Sequence, residues 1–139
     1  MSTDTLNFSR KDSVLMVAPE KSLAYLDIFA AKGYLISLLD GAEISSEEEL
    51  LKHLAQAMKF PDYFGNNWNA LEECLSDLDW LPAKGYVIQF ANADIFIKTH
   101  SSDFKVFVQI IESVKSYWNA INVDLILIVE TNNPVVTAR

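Results

Sequence analysis

The side chains that could carry chemistry are few in this sequence, and they stand apart. Cys74 is the one cysteine. It falls among Ala70, Leu71, Leu75 and Leu78, the setting of a buried, inert thiol, whereas a nucleophilic thiolate needs a base or cation beside it. His53 lies in a predicted helix and His100 in a predicted loop, and neither carries a metal-ligand pattern. The four glycines, at 33, 41, 65 and 85, make neither a Walker phosphate loop nor a Gly-x-Gly-x-x-Gly turn. No Gly-x-Ser-x-Gly elbow occurs. Glu72 and Glu73 are adjacent carboxylates, but helix neighbours point about 100° apart, so they do not face each other as an acid–base pair. The expectation is a protein without catalysis, cofactor or metal.

What remains is a surface. Asn67 is a good N-cap for a helix running to about Leu78. Along it Trp68, Leu71, Leu75 and Leu78 recur at steps of three and four and predict a buried stripe. Asn69, Glu72, Glu73 and Ser76 recur the same way on the other side and predict a continuous polar, acidic face. Asp77 and Asp79 then add carboxylates at the C-terminal end, where the helix dipole is already negative; each such placement costs about 0.3–1 kcal/mol. Tyr63 before the helix and Trp80 after it bracket this face. Acids ringed by aromatic anchors suit a docking surface for a cationic partner. Two readings stand at this point: that surface, or solvated acids beside two core aromatics.

The elements that position these residues follow from hydrophobic spacing. Val14–Val17 is a short strand candidate and the uncertain fourth member of the sheet. Residues Lys21 to Ala31 have helical spacing, with Leu23, Leu26, Ile28 and Ala30 as their apolar positions, and Gly33 as the stop. Tyr34–Leu39 reads as a strand ended by Asp40-Gly41. A helix capped by Ser45 or Ser46 follows, with Glu47, Glu48 and Glu49 in its first turn and Leu50, Leu51, Leu54, Ala55 and Met58 as its core stripe, broken by Pro61. Tyr86–Phe90 is the next strand, then a helical turn through Asp94 to Lys98. The longest helix begins near Asp103, with Phe104, Phe107, Val108, Ile111, Val114 and Trp118 as its stripe. Val123–Val129 is the last strand. Near-continuous apolar strands separated by helices predict an α/β domain, a parallel sheet of three or four strands covered by helices. With no repeat and no linker, residues 1–139 read as one domain. The first eleven residues are polar, and a polar tail spans 130–139.

Half of the 139 residues are hydrophobic and 22% charged, which excludes disordered, collagen-like and low-complexity chains. A single cysteine gives no disulfide framework within the chain. No apolar run is long enough to span a membrane, and no signal peptide is visible, so the expected location is cytoplasmic. The net charge is −8, and the stretch from Gly33 to Ala83 holds ten acids against Lys52 and Lys59, a surplus that equals the whole net charge. Such a surface repels phosphate backbones, which argues against direct nucleic-acid binding, and suits a basic partner if the charges share one face. The bland counterpart is a solvated surface that only keeps the protein soluble.

The segment from Phe60 to Trp80, Phe-Pro-Asp-Tyr-Phe-Gly-Asn-Asn-Trp-Asn-Ala-Leu-Glu-Glu-Cys-Leu-Ser-Asp-Leu-Asp-Trp, resembles the signature of the barstar family, intracellular inhibitors of barnase-type ribonucleases. That signature runs Pro-x-Tyr-[Tyr/Phe]-Gly-x-Asn-x-Asp-Ala-Leu-x-[Asp/Glu]-Cys-Leu and is long and specific. The resemblance covers about Gly33 to Val129, and residues 1–32 read as an N-terminal extension that adds a strand and a helix. It implies a barstar-like α/β fold and an inhibitor, antitoxin-like, that occludes a basic ribonuclease or related toxin with an acidic helix and the loop before it. The free protein would then be a monomer. The positions matching the family's binding face are Tyr63, Gly65, Asn67, Asn69, Glu72, Glu73, Ser76, Asp77 and Trp80. Glu112, on the long helix, corresponds to a further acid. Glu73 stands where the family's principal acid is Asp, Asn69 replaces a second Asp, and Glu72 replaces a Trp. These departures leave the individual partner open. A non-inhibitory interaction or regulatory module on the same fold is the alternative.

Overall fold

A computed structural model describes residues 14–133. The expectations for the first eleven residues and for the end of the tail lie outside that range. The elements run β1 (Val14–Val17), α1 (Pro19–Ala31), β2 (Leu35–Asp40), a 3-10 turn (Gly41–Glu43), α2 (Glu47–Ala57), α3 (Trp68–Asp77), β3 (Gly85–Ala91), α4 (Asp94–Thr99), α5 (Ser101–Asn119) and β4 (Asp124–Glu130). All four strands are parallel, in the order β1-β4-β3-β2. The uncertain Val14–Val17 segment is thus an edge strand, with Leu15 beside Ile128. The β1–α1–β2 connection crosses from one edge of the sheet to the other.

The strand period of two divides the apolar residues between two layers. One face of the sheet contributes Leu39, Tyr86, Ile88, Phe90, Leu125, Leu127 and Val129 to a large core shared with α2–α5. The other contributes Leu15, Val87, Ile126 and Ile128 to a smaller core under α1. Strands β3 and β4 are buried on both faces, which is why they read as unbroken apolar runs.

Helix α1 departs from the expected pattern. Leu23 is 62% exposed and Ile28 37%, and Ala30 is exposed too, while Ser22, Tyr25 and Phe29 face the sheet. Two aromatics fill the space over the strands, with Phe29 stacked between Tyr25 and Tyr34. Ser22 is tolerated inside because its hydroxyl donates to Glu130 at 2.6 Å. The helix closes at Gly33, whose φ of +82° suits a residue without a Cβ. At Gly41 a Cβ would fall 2.2 Å from the Asn92 carbonyl oxygen, so glycine is what lets the turn after β2 approach the end of β3.

Candidate functional site

Helix α3 starts where the sequence places it. Asn67 accepts a bond from the Ala70 N–H at 2.8 Å and donates its own Nδ2 to the Gly65 carbonyl at 3.3 Å. Asn66, between them, has a φ of +55°. The loop is therefore held to the helix by its cap. Pro61 accepts from the Phe64 N–H at 3.0 Å, and Phe64 turns inward against Phe60. Tyr63 is left outside, 73% exposed. The Tyr63 hydroxyl titrates above its ordinary range, through partial desolvation and then the nearby carboxylates, Asp77 foremost, with Asp79 and Glu73 adding to it. The loop tyrosine thus sits in the field of the far end of the helix.

Leu71, Cys74, Leu75 and Leu78 are buried, but Trp68 is only half-buried and packs at the margin of the core. The stripe proposed for this helix is corrected there: Trp68 is the first residue of α3, at the helix end next to the exposed loop, and is covered on one side only. Burial, and then the charges of Asp77 and Glu73, raise the thiol's pKa, so it stays protonated and unreactive near neutrality. The helix ends on Leu78 in the left-handed region (φ +52°), its N–H bonded to Cys74 O at 3.1 Å. A non-glycine residue there costs on the order of 1–2 kcal/mol, offset by complete burial of the leucine side chain. Asp77 accepts from the Asp79 N–H at 3.3 Å, which shapes the turn that follows.

Two tryptophans fasten this region from behind. Trp80 is half-buried, edge-on to Phe60, and its indole N–H donates to Met58 O at 3.0 Å, satisfying a carbonyl at the end of α2. Trp118, from α5, does the same for α3 by donating to Leu75 O at 2.7 Å. Helices α3 and α5 are also joined by Ser113, whose hydroxyl donates to Glu72 at 2.9 Å.

These contacts sort the residues singled out in the sequence. Asn69, Glu72, Glu73, Ser76 and Asp77 line one open groove of about 660 Å³, together with Tyr117 of α5. Glu73 and Asp77 are exposed, while Glu72 is half-buried against Ser113. Tyr63, Gly65 and Asn67 lie on the loop and cap before the helix, Trp80 lies behind it, and none of the four lines the groove. Glu112 is half-buried on α5 and is not among the lining residues either. Tyr117 was not singled out from the sequence. The signal it offered was an aromatic one position off the Val114–Trp118 stripe of an amphipathic helix, which rotates it about 100° out of the core. The lining residues are three carboxylates, an amide, a hydroxyl and a phenol, none of them basic. Such a groove can accept cationic donors.

Away from the groove, His100 stacks on Phe96 at 5.2 Å and contacts Thr99 through Nδ1 at 2.9 Å. No helix among the described residues is long and apolar enough to cross a membrane.

Comparison with known proteins places this architecture. Over 72 residues the chain is 29% identical to a Bacillus subtilis (strain 168) protein named "Putative ribonuclease inhibitor YrdF", an alignment covering 52% of this chain and 79% of that one. Residues 34–130 match the family model described as Barstar (barnase inhibitor), a span that runs from the start of β2 to the end of β4 and so takes in the whole groove. With more than half of its length matched and a parallel α/β sheet carrying the signature segment, the chain belongs to the Barstar (barnase inhibitor) family.

Proposed function

We propose that this protein is a ribonuclease inhibitor that works by occlusion and charge mimicry, its α3 face and the Pro61–Asn67 loop seated in the active site of a barnase-type ribonuclease. A nuclease that cleaves RNA must hold a phosphodiester with cationic side chains. A carboxylate set at the same depth meets those cations, and the body of the inhibitor behind it keeps RNA out. Glu73 and Asp77, exposed one turn apart, are the groups placed to do so, with Tyr63 on the loop and Asn69 on the preceding turn at the margin. The observation that carries the reading is the groove itself, lined by carboxylates and polar groups with no base among them, on the helix that bears the family signature. Asn69 contributes no charge, so the attraction concentrates on the C-terminal half of the helix. The protein acts as a stoichiometric binder with no turnover of its own.

The test is RNA hydrolysis by purified barnase with increasing amounts of this protein. Activity is expected to fall in proportion to added protein and to reach zero near equimolar, with inhibition weakening as salt rises. Full hydrolysis at a several-fold excess would sink the proposal. If calorimetry then still showed a complex, the interaction-module reading would replace it.

A further inference from the structure

Resting on that reading of the groove, we infer that Tyr117 makes it selective for arginine: the partner presents a guanidinium that lies on the Tyr117 ring while bonding to the α3 carboxylates. Ser113 and Tyr117 are one turn apart on the same side of α5, and the Ser113–Glu72 bond fixes that side against α3. Tyr117 therefore stands over the next turn of α3, where it closes the groove lined by Glu73, Ser76 and Asp77. The ring is 54% exposed. It is braced edgewise by Trp118, with ring centroids 5.5 Å apart at 83°. Trp118 is in turn fixed by its bond to Leu75 O. A phenol held this way on the rim of an acidic groove keeps a π-face available without losing much side-chain freedom on binding.

Arginine and lysine use such a site differently. An ammonium is a compact, strongly hydrated point charge whose three donors can reach carboxylates but which presents no flat face to a ring. A guanidinium is planar and weakly hydrated, so it can stack on a ring and still direct its N–H fork at a carboxylate in the same plane. The groove offers both surfaces side by side. Either cation is attracted to an exposed aromatic ring, and the part of that attraction gained only by a stacked guanidinium amounts to about a twofold preference. Tyr117 is on this account a specificity-determining residue, since the acids supply most of the attraction and the ring selects which cation is favoured.

The experiment needs no ribonuclease. Argininamide and lysinamide, small dications of equal charge, are titrated into the isotope-labelled full-length protein, and amide shifts at Glu73, Ser76, Asp77 and Tyr117 are followed by NMR. Argininamide is expected to bind the groove about twofold more tightly than lysinamide. Tyr117→Ala should remove that preference, whereas Tyr117→Phe, which keeps the ring, should retain it. Equal affinities for the two amides in the parent protein, absence of shifts at the groove, or an undiminished preference in Tyr117→Ala would each overturn the inference. Barnase left uninhibited alongside a clear arginine preference would remove the inhibitor reading and leave this one standing. Inhibition without the preference would do the reverse.

Discussion

Helices α2 and α3 differ in length by a single residue, 11 against 10, and carry their acids at opposite ends. In α2, Glu47, Glu48 and Glu49 occupy the first turn, and Ser46 caps it by accepting from the Glu49 N–H at 3.1 Å. Glu49 reaches back to Ser45, whose N–H and hydroxyl donate to it at 2.8 and 2.7 Å. Every one of these charges sits where exposed N–H groups and the positive end of the dipole favour it. Helix α3 has no acid in its first turn and no base in its last; its carboxylates begin in the middle and gather at the C-terminal end. The same residue types are thus spent on folding in one helix and placed against local electrostatics in the other. Local rules broken without compensation inside the element mark a functional surface more often than chance, and the groove lies on the helix that breaks them.

The largest expected effect separates the two helices by binding. Glu73→Ala should weaken barnase binding by about 2–5 kcal/mol, while Glu47→Ala leaves it within error; that range derives in part from the barnase–barstar complex of this same family and is no magnitude specific to this chain. Urea unfolding of Glu73→Ala should match the parent, since the side chain is exposed. Titration calorimetry at two salt concentrations measures the first quantity. Similar affinity losses for the two variants would mean that the acids act as one diffuse field, and the contrast between the helices would lose its functional meaning.

The next effect is on stability, where the helices should behave alike. Ser46→Ala and Asn67→Ala each remove a side-chain cap bond and should each lower unfolding free energy by about 0.5–2 kcal/mol. Only Asn67→Ala should also weaken ribonuclease binding, because Asn67 additionally holds Gly65 and so the loop that carries Tyr63. Denaturation midpoints with paired inhibition curves check both halves. A Ser46→Ala variant impaired in inhibition while still folded would blur the division.

How much of this was legible in the residues depends on what each element packs against. The strands, both caps and the acidic face of α3 could be read because they rest on local rules of spacing, caps and turn residues. The apolar positions expected for α1, Leu23, Leu26, Ile28 and Ala30, misplaced its buried face, since apolar residues lie on all its sides. Leu23 and Ile28 lose to Tyr25 and Phe29 because aromatic rings fill the gap above Val87 and Ile126, and a serine enters with them because Glu130 accepts its hydrogen bond. Trp68 fits the apolar spacing yet stays half-buried because it opens α3 beside the exposed segment 65–67. Tyr117 and Ser113 belong to the groove's surroundings only through the docking of α5 on α3, a contact between residues some 40 positions apart, and no periodicity within either helix discloses it.

A smaller effect reverses the sign of α3's local cost. Asp79→Lys puts a cation by the negative end of the helix and should raise stability by about 0.3–1 kcal/mol. The same change should slow association with barnase, most at low salt, since it removes one attractive charge and adds a repulsive one near the approach path. Stopped-flow association rates and urea midpoints give the two numbers. A variant that lost stability would show that Asp79 is fitted to the turn at Leu78 rather than tolerated there.

The smallest effect lies in α2 and appears as a pH dependence. The two bonds from Ser45 hold the Glu49 carboxyl below its ordinary value of 4.5. A group depressed in the folded state takes up a proton more readily when the chain unfolds. Its ionised form therefore favours folding at pH values above 4.5, and that contribution disappears as the pH falls through the lower folded value. The carboxyl lies at the surface, so the contribution is small and screened by salt. Glu49→Gln keeps an oxygen that can accept from Ser45 but removes the charge that strengthens those bonds and faces the helix N-terminus. The parent should be slightly the more stable of the two at neutral pH, and their urea midpoints should converge as the pH is lowered toward 3. A gap that stays constant across that range would trace the difference to the shape of the cap instead of its charge. In that case α2 would no longer stand as the helix whose acids serve its own folding, and the contrast with α3 would rest on the binding data alone.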